Sequence, residues 1–216
     1  MKRIRSLLLA LIMLASLAAC GKDGLDLNPN SNSSSSPSGS DNSNSPDSNP
    51  SSSNDVITPE DGMAIGYEGD TLRTVFFDMK IENPQTCDEF DGLTPDEGYK
   101  FLTADLTLYN YTDYSQLMFD TDFEVIWDLD DDDAWAWPEC NETTDANGEP
   151  EYSVRSDKQL PIEYTLGIHK SQTGLLLYQV PADSTDFFIA FYEVFAPEEE
   201  GDEPEYGDSF FVRFSE

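Results

Sequence analysis

The chain has 216 residues, with 44 acidic against 11 basic side chains and a net charge of −33. That balance argues against nucleic acid as a partner, since such binding draws on Lys and Arg against phosphate. It also argues against a polybasic contact with a membrane surface.

The chain begins with a basic stretch, Lys2, Arg3 and Arg5, followed by an apolar run over residues 7–19. This is the length of a signal h-region and too short to span a bilayer. It ends in Leu17-Ala18-Ala19-Cys20, which resembles the bacterial lipoprotein signal. The resemblance implies that residues 1–19 are cleaved and that Cys20 becomes a diacylated N-terminus. Two or more acyl chains suffice for stable anchoring where one is marginal. Loss of Lys2, Arg3 and Arg5 with the leader would take the net charge from −33 to −36. The membrane contact then falls to the lipid on Cys20 alone, with the rest of the chain on the extracytoplasmic side.

Residues 20–55 are mainly Ser, Asn, Pro and Asp and carry almost nothing to bury. Such a composition predicts a disordered tether, with a root-mean-square span of roughly 30–35 Å as a flexible coil.

Strand-like patterning begins after residue 55, so 56–216 is read as one domain. Residues 63–67 form a short first strand. Residues 71–82 alternate, with Val75, Phe77, Met79 and Ile81 on one face, and Asn83-Pro84 ends the strand. The clearest strand spans 99–112, with Leu102, Ala104, Leu106 and Leu108 in register. Residues 119–129 follow, with Phe123, Val125, Trp127 and Leu129 aligned; Asp130 to Asp133 interrupt, and 134–137 resume. Residues 139–159 read as a loop holding Cys140 and the Asn147-Gly148 turn signal. Leu160, Ile162, Tyr164, Leu166 and Ile168 alternate, 170–174 turn, and 175–180 is a continuous apolar run. Residues 187–195 are apolar on both faces apart from Glu193, as in a central strand; 197–208 form a charged loop, and Phe210, Val212 and Phe214 close the pattern. Roughly seven or eight strands without helical periodicity predict an all-β, antiparallel β-sandwich.

Four segments carry a family resemblance: Glu82-Asn83-Pro84, the run from Tyr99-Lys100-Phe101 to Leu108-Tyr109-Asn110, Leu160-Pro161-Ile162, and Gly174-Leu175-Leu176-Leu177-Tyr178-Gln179-Val180-Pro181. Their order resembles the immunoglobulin-like domain of unknown function found in many Gram-positive surface lipoproteins. That group is similar in fold to the mycobacterial immunoprotective extracellular protein. Ile168-His169-Lys170, where family members carry a turn glycine, and the Asp130 to Asp133 insert depart from its pattern. The resemblance implies an immunoglobulin-like extracellular binding or scaffold module, and it brings no catalytic residues.

Four constellations are candidates for chemistry. With Cys20 lipidated, Cys87 and Cys140 remain as an even pair outside the membrane, either as a disulfide or as two thiols. Asp128, Asp130 and Asp132, with Glu139 eleven residues after Asp128, match positions 1, 3, 5 and 12 of an EF-hand loop. Asp133 stands where that loop needs Gly, which leaves at most a looser Ca²⁺ site or a solvated loop. Trp135 and Trp137 share a face if extended. They either stack on a sugar or peptide, as a wall-glycan module would, or pack in the core beside the cysteines. A hydrolase triad would have to use His169, the one histidine. The expectation is therefore a non-catalytic module without a cofactor that binds a surface protein. A carbohydrate-binding module is the alternative, and a secreted hydrolase the weaker one.

Overall fold

The computed structural model describes residues 56–196 and 203–216. The leader, Cys20 and the tether lie outside the described residues, as do 197–202. The chain first forms β1 (Val56–Ile57), β2 (Met63–Tyr67), β3 (Thr71–Arg73), β4 (Asp78–Cys87), β5 (Tyr99–Tyr109) and β6 (Gln116–Phe119). A 3₁₀ turn, Asp120–Asp122, leads into β7 (Glu124–Ile126), β8 (Trp135–Ala136), β9 (Cys140–Thr144) and β10 (Pro150–Val154). Then come β11 (Glu163–Leu166), β12 (Ser171–Pro181), β13 (Asp186–Phe195) and β14 (Glu205–Ser215).

These strands form two five-stranded sheets, in the orders β1-β3-β4-β5-β12 and β2-β14-β13-β7-β8, together with the ribbons β6–β11 and β9–β10. The inner faces follow the alternation in the sequence. Met79 and Ile81 of β4 and Leu102, Leu106 and Leu108 of β5 share one buried cluster with Ile189 of β13 and with Phe210 and Val212 of β14. Phe77 lies edge-on to Phe191 across it, with ring centroids 4.9 Å apart. Burying each such side chain contributes about 1.5–3 kcal/mol. The expected all-β sandwich is the fold.

The strand pattern differs from the expectation in several places, each for a physical reason. Both sheets are mixed, since β1 runs parallel to β3 and β2 parallel to β14. Between β1 and β2 the chain turns tightly at Asp61 and Gly62, both at positive φ, and passes from one sheet to the other. The alternation through 71–82 hides a turn at 74–77. There the Thr74 hydroxyl accepts the amides of Phe76 and Phe77 and donates to the Phe77 carbonyl. Val75 is consequently exposed. Asn83-Pro84 does not end β4 but sits in a register shift between Glu82 and Gln85, where a missing amide is tolerated. Residues 139–159 are not a loop. Within them Cys140–Thr144 and Pro150–Val154 form the β9–β10 hairpin, which shows no alternation because most of its residues are exposed on both faces. More strands therefore exist than the expected seven or eight, mostly short ones that leave too little sequence to show a period.

Cys87 and Cys140 are not bonded to each other. Cys87 pairs with Phe101 of β5, and β5 pairs with β12. The Glu139 amide, next to Cys140, bonds the Leu177 carbonyl on the far side of β12. Three interstrand steps of about 4.8 Å thus separate the two, well past the ~7 Å Cα separation a disulfide tolerates. Burial pushes the Cys87 thiol up in pKa.

That far edge of β12 also explains Gly174. A Cβ there would lie 2.7 Å from Leu160 Cα and 2.9 Å from its amide nitrogen. The Leu175 amide and carbonyl bond Lys158 and Leu160 at the same place, so the segment covers the sheet edge. Gly174→Ala is expected to cost about 1–2 kcal/mol, because the edge segment must shift but is not locked inside a sheet. Urea denaturation checks this; an unchanged midpoint would show that the segment moves freely.

Glu193, only 2% exposed, marks the register shift between Tyr192 and Val194. Its carboxylate accepts the amides of Val75 at 2.7 Å and Asp208 at 3.1 Å. This acid therefore ties the 74–77 turn to β13 and β14.

Candidate functional site

The second sheet carries a second apolar surface on its outer face. Alternation along β13 and β14 sends Phe187, Ile189, Phe191, Phe210 and Val212 inward, and Phe188, Ala190, Tyr192 and Phe211 outward. Cross-strand register then builds rows on the outer face. Tyr67, Arg213, Phe188, Ile126 and Trp135 lie side by side, and so do Ile65, Phe211, Ala190 and Glu124. Met63, Ile65 and Tyr67 of the edge strand β2 are exposed. Phe211 stands edge-on between Phe188 and Tyr192, with centroids 6.4 and 5.9 Å away. Arg213 lies over the Phe188 ring and is paired with Asp186 at 3.4 Å.

At the β7–β8 end this face deepens into a cleft of about 230 Å³. Ile126, Tyr192 and Phe211 come from the sheet, while Leu129 and Trp135 come from the hairpin. Four carboxylates line the cleft: Glu124, Asp128, Asp131 and Asp132. Among the described residues no Lys, Arg or His forms an ion pair with any of the four. The Tyr192 hydroxyl is hydrogen-bonded to Glu124. Burial pushes the Glu124 carboxyl above its usual range, opposed by that bond. Burial and the adjacent carboxylate push the Tyr192 phenol up to about 12.

Trp135 and Trp137 are 39% and 45% exposed, so neither is a core residue. They share the outer face, as extended alternation requires, but their rings meet edge to face, 5.0 Å apart at 71°. The pair does not offer the flat two-ring platform on which successive sugar rings would stack.

Asp128, Asp130 and Asp132 lie on the exposed β7–β8 loop. Asp128 Oδ1 accepts the Asp130 amide, and Asp131 Oδ1 accepts the Asp133 amide, so the loop folds on its own carboxylates. Among the described residues no three His, Cys, Asp or Glu side chains are gathered as metal ligands. Asp128 and Asp132 face the cleft, whereas Asp130 does not line it. His169 sits at positive φ in the turn before β12, 3.4 Å from Asp113 Oδ1, and does not line the cleft.

Glu124, Asp131, Tyr192 and Phe211 were not among the sequence-derived candidates. Their signal was the apolar character of both faces of 187–195 and the consecutive Phe210-Phe211. In a chain without helical periodicity, nothing local stands ready to cover a second apolar face.

No family profile matches the chain. No curated protein matches it either. Among solved structures, a candidate lipoprotein of Bacillus subtilis, ycdA, aligns at 13% identity and a TM-score of 0.45 over 68% of this chain. This chain spans only 38% of that protein. The yjhA protein of Bacillus subtilis aligns at 13% identity and a TM-score of 0.40, over 69% of this chain and 99% of the other. An uncharacterized β-sandwich protein of Clostridium difficile aligns at 8% identity and 0.37, over 70% and 93%. Likenesses this distant say nothing about activity or partners, and the β-sandwich rests on the strands themselves.

Proposed function

We propose that this chain is a lipoprotein anchored through Cys20 on the extracytoplasmic side of the membrane, and that its β-sandwich is a non-catalytic module binding another protein. The observation that carries the binding role is the outer face of the second sheet. Soluble monomers rarely leave a contiguous apolar patch of this kind uncovered. Here Met63, Ile65 and Tyr67 form an exposed apolar row along the β2 edge, backed by half-buried Phe188 and Tyr192 around the buried Phe211. Support for the anchor comes from the Leu17-Ala18-Ala19-Cys20 sequence, and the Ser- and Asn-rich tether provides reach. The edge-to-face geometry of Trp135 and Trp137 weighs against the wall-glycan alternative.

Two measurements test the proposal. Cys20→Ser is expected to move the protein out of the membrane fraction or leave it unprocessed; a processed, membrane-bound variant would refute the anchor. A photoreactive residue at position 65 of the full chain, on intact cells, is expected to give a discrete adduct. The same residue at exposed Leu117, on the β6–β11 ribbon, is expected to give none. Equal adducts at both positions, or none at 65, would refute the docking face.

A further inference from the structure

We infer that the partner presents a lysine- or arginine-bearing polypeptide segment, with one cationic side chain seated in the cleft beside Trp135 and apolar neighbours lying on the exposed β2 edge around Ile65. The inference rests on the docking face proposed above and specifies what that face recognises.

Size comes first. A cleft of about 230 Å³ is smaller than the ~300 Å³ at which sites for drug-sized ligands begin, so it suits one side chain. Charge comes second. Glu124, Asp128, Asp131 and Asp132 surround the space, and no cationic residue lines it. A chain with net charge −33 adds a long-range field of the same sign, which concentrates cations at the surface and speeds their encounter. The third element is the aromatic lining. Trp135 and half-buried Tyr192 present ring surface next to the carboxylates, with the buried Phe211 beneath them. An ammonium or guanidinium gains from such rings by cation–π attraction, while its methylene stem covers apolar surface. An anionic or neutral polar group would gain neither.

Beyond the cleft, across the buried Ala190 and Phe211, lies the exposed apolar edge formed by Met63, Ile65 and Tyr67 of β2. Register places Phe211 between Ala190, which is beside Glu124, and the exposed Ile65. A small free cation would leave that surface uncovered. A polypeptide alternating basic and apolar side chains uses both parts at once, which makes it the complementary partner.

The test is a tryptophan-fluorescence titration of the full chain with acetyl-Gly-Lys-Leu-Lys-Leu-Gly-amide. The matched control replaces each lysine of the peptide by glutamine. Saturable binding of the lysine peptide is expected, at least tenfold tighter than the control and weakened by added salt. Asp128→Asn and Asp131→Asn keep the oxygens that accept the Asp130 and Asp133 amides, so the loop is retained. Combined, they are expected to weaken lysine-peptide binding about tenfold with unchanged melting temperature. Ile65→Ser is expected to weaken both peptides. Equal affinity for the two peptides, no saturable binding of the lysine peptide, or no effect of the Asp variants would each overturn the inference. Tetramethylammonium bound as tightly as the peptide would overturn the polypeptide assignment. The position-65 adduct on cells reports on the docking face separately: if it persists unchanged in Asp128→Asn/Asp131→Asn, the face stands and the cation inference falls.

Discussion

Asn110→Ala is expected to lower the free energy of unfolding by about 3 kcal/mol. Asn110 follows β5 and is fully buried. Its Nδ2 donates to the carbonyls of Tyr114 at 2.8 Å and Leu166 at 3.1 Å. Its Oδ1 accepts the Thr112 amide at 2.8 Å and the Thr112 hydroxyl at 2.7 Å. One side chain thus closes the 110–114 turn and joins it to the end of β11. Alanine strands several partners at once, and each buried orphan costs about 1–3 kcal/mol. Water reaching the partly exposed Tyr114 and Thr112 reduces the sum. Asn110→Asp is expected to be similarly destabilising at neutral pH, because its carboxylate would face two carbonyl oxygens. Urea denaturation measures both variants. A loss below 1 kcal/mol for the alanine variant would show that the turn is held by other contacts.

Stability is expected to fall by about 2 kcal/mol between pH 5 and pH 8, with Asp120 responsible for most of it. Asp120 is 3% exposed in the 3₁₀ turn between β6 and β7, and among the described residues no cation pairs with it. Burial pushes its carboxyl up to about 7, and the neighbouring Asp122 to about 6. The Asp122 carboxylate also accepts the Phe119 amide at 2.8 Å, which holds its rise back. The titratable groups that sense the pair, Tyr164 and Tyr178, add no positive charge. Between pH 4 and 7 the folded chain keeps a proton that the unfolded chain, titrating near 3.8, has lost. Stability therefore decreases with rising pH across that window, and the loss is complete above about 7. At about 1.36 kcal/mol per pH unit, the whole window would amount to about 4 kcal/mol; solvent relaxation at a turn lowers this. Asp91 and Asp145 work in the opposite sense. Hydrogen bonds hold them below the usual carboxylate range, so their stabilisation is lost only as pH falls below about 4. Asp120→Asn is expected to flatten the slope and to be more stable than the wild type at pH 8. Identical slopes in melting temperature from pH 5 to 8 would rule Asp120 out.

Long alternating runs were legible from sequence because their inward-facing positions are uniformly apolar. The 99–109 strand and the inward residues of β13 and β14 follow their pattern directly. Errors collected where a side chain, and not a period, decides the backbone. Thr74 closes a turn inside an apparently continuous strand. Asp120 and Asp122 lie in a 3₁₀ turn that divides 119–129 between a ribbon and a sheet. The candidate site was half legible. Trp135, Asp128 and Asp132 were singled out, but as a sugar platform or core residues and as metal ligands. Their partners Glu124, Tyr192 and Phe211 come from other strands, and no local spacing links them.

By itself, the sequence determined the all-β architecture and most of the inner core, through period-2 burial, and the excess of negative charge. The Leu-Ala-Ala-Cys motif and the Ser- and Asn-rich composition of residues 20–55 are likewise local features of the sequence. Strand order was decided only in the tertiary structure. It placed β5 and β12 between Cys87 and Cys140, and it set β7, β13, β14 and β2 side by side. That adjacency packs scattered aromatics into one cluster on the outer face, bordered by the exposed β2 edge, and gathers four carboxylates around a cleft. Periodicity records which face of a strand is apolar, whereas long-range pairing determines what that face is placed against.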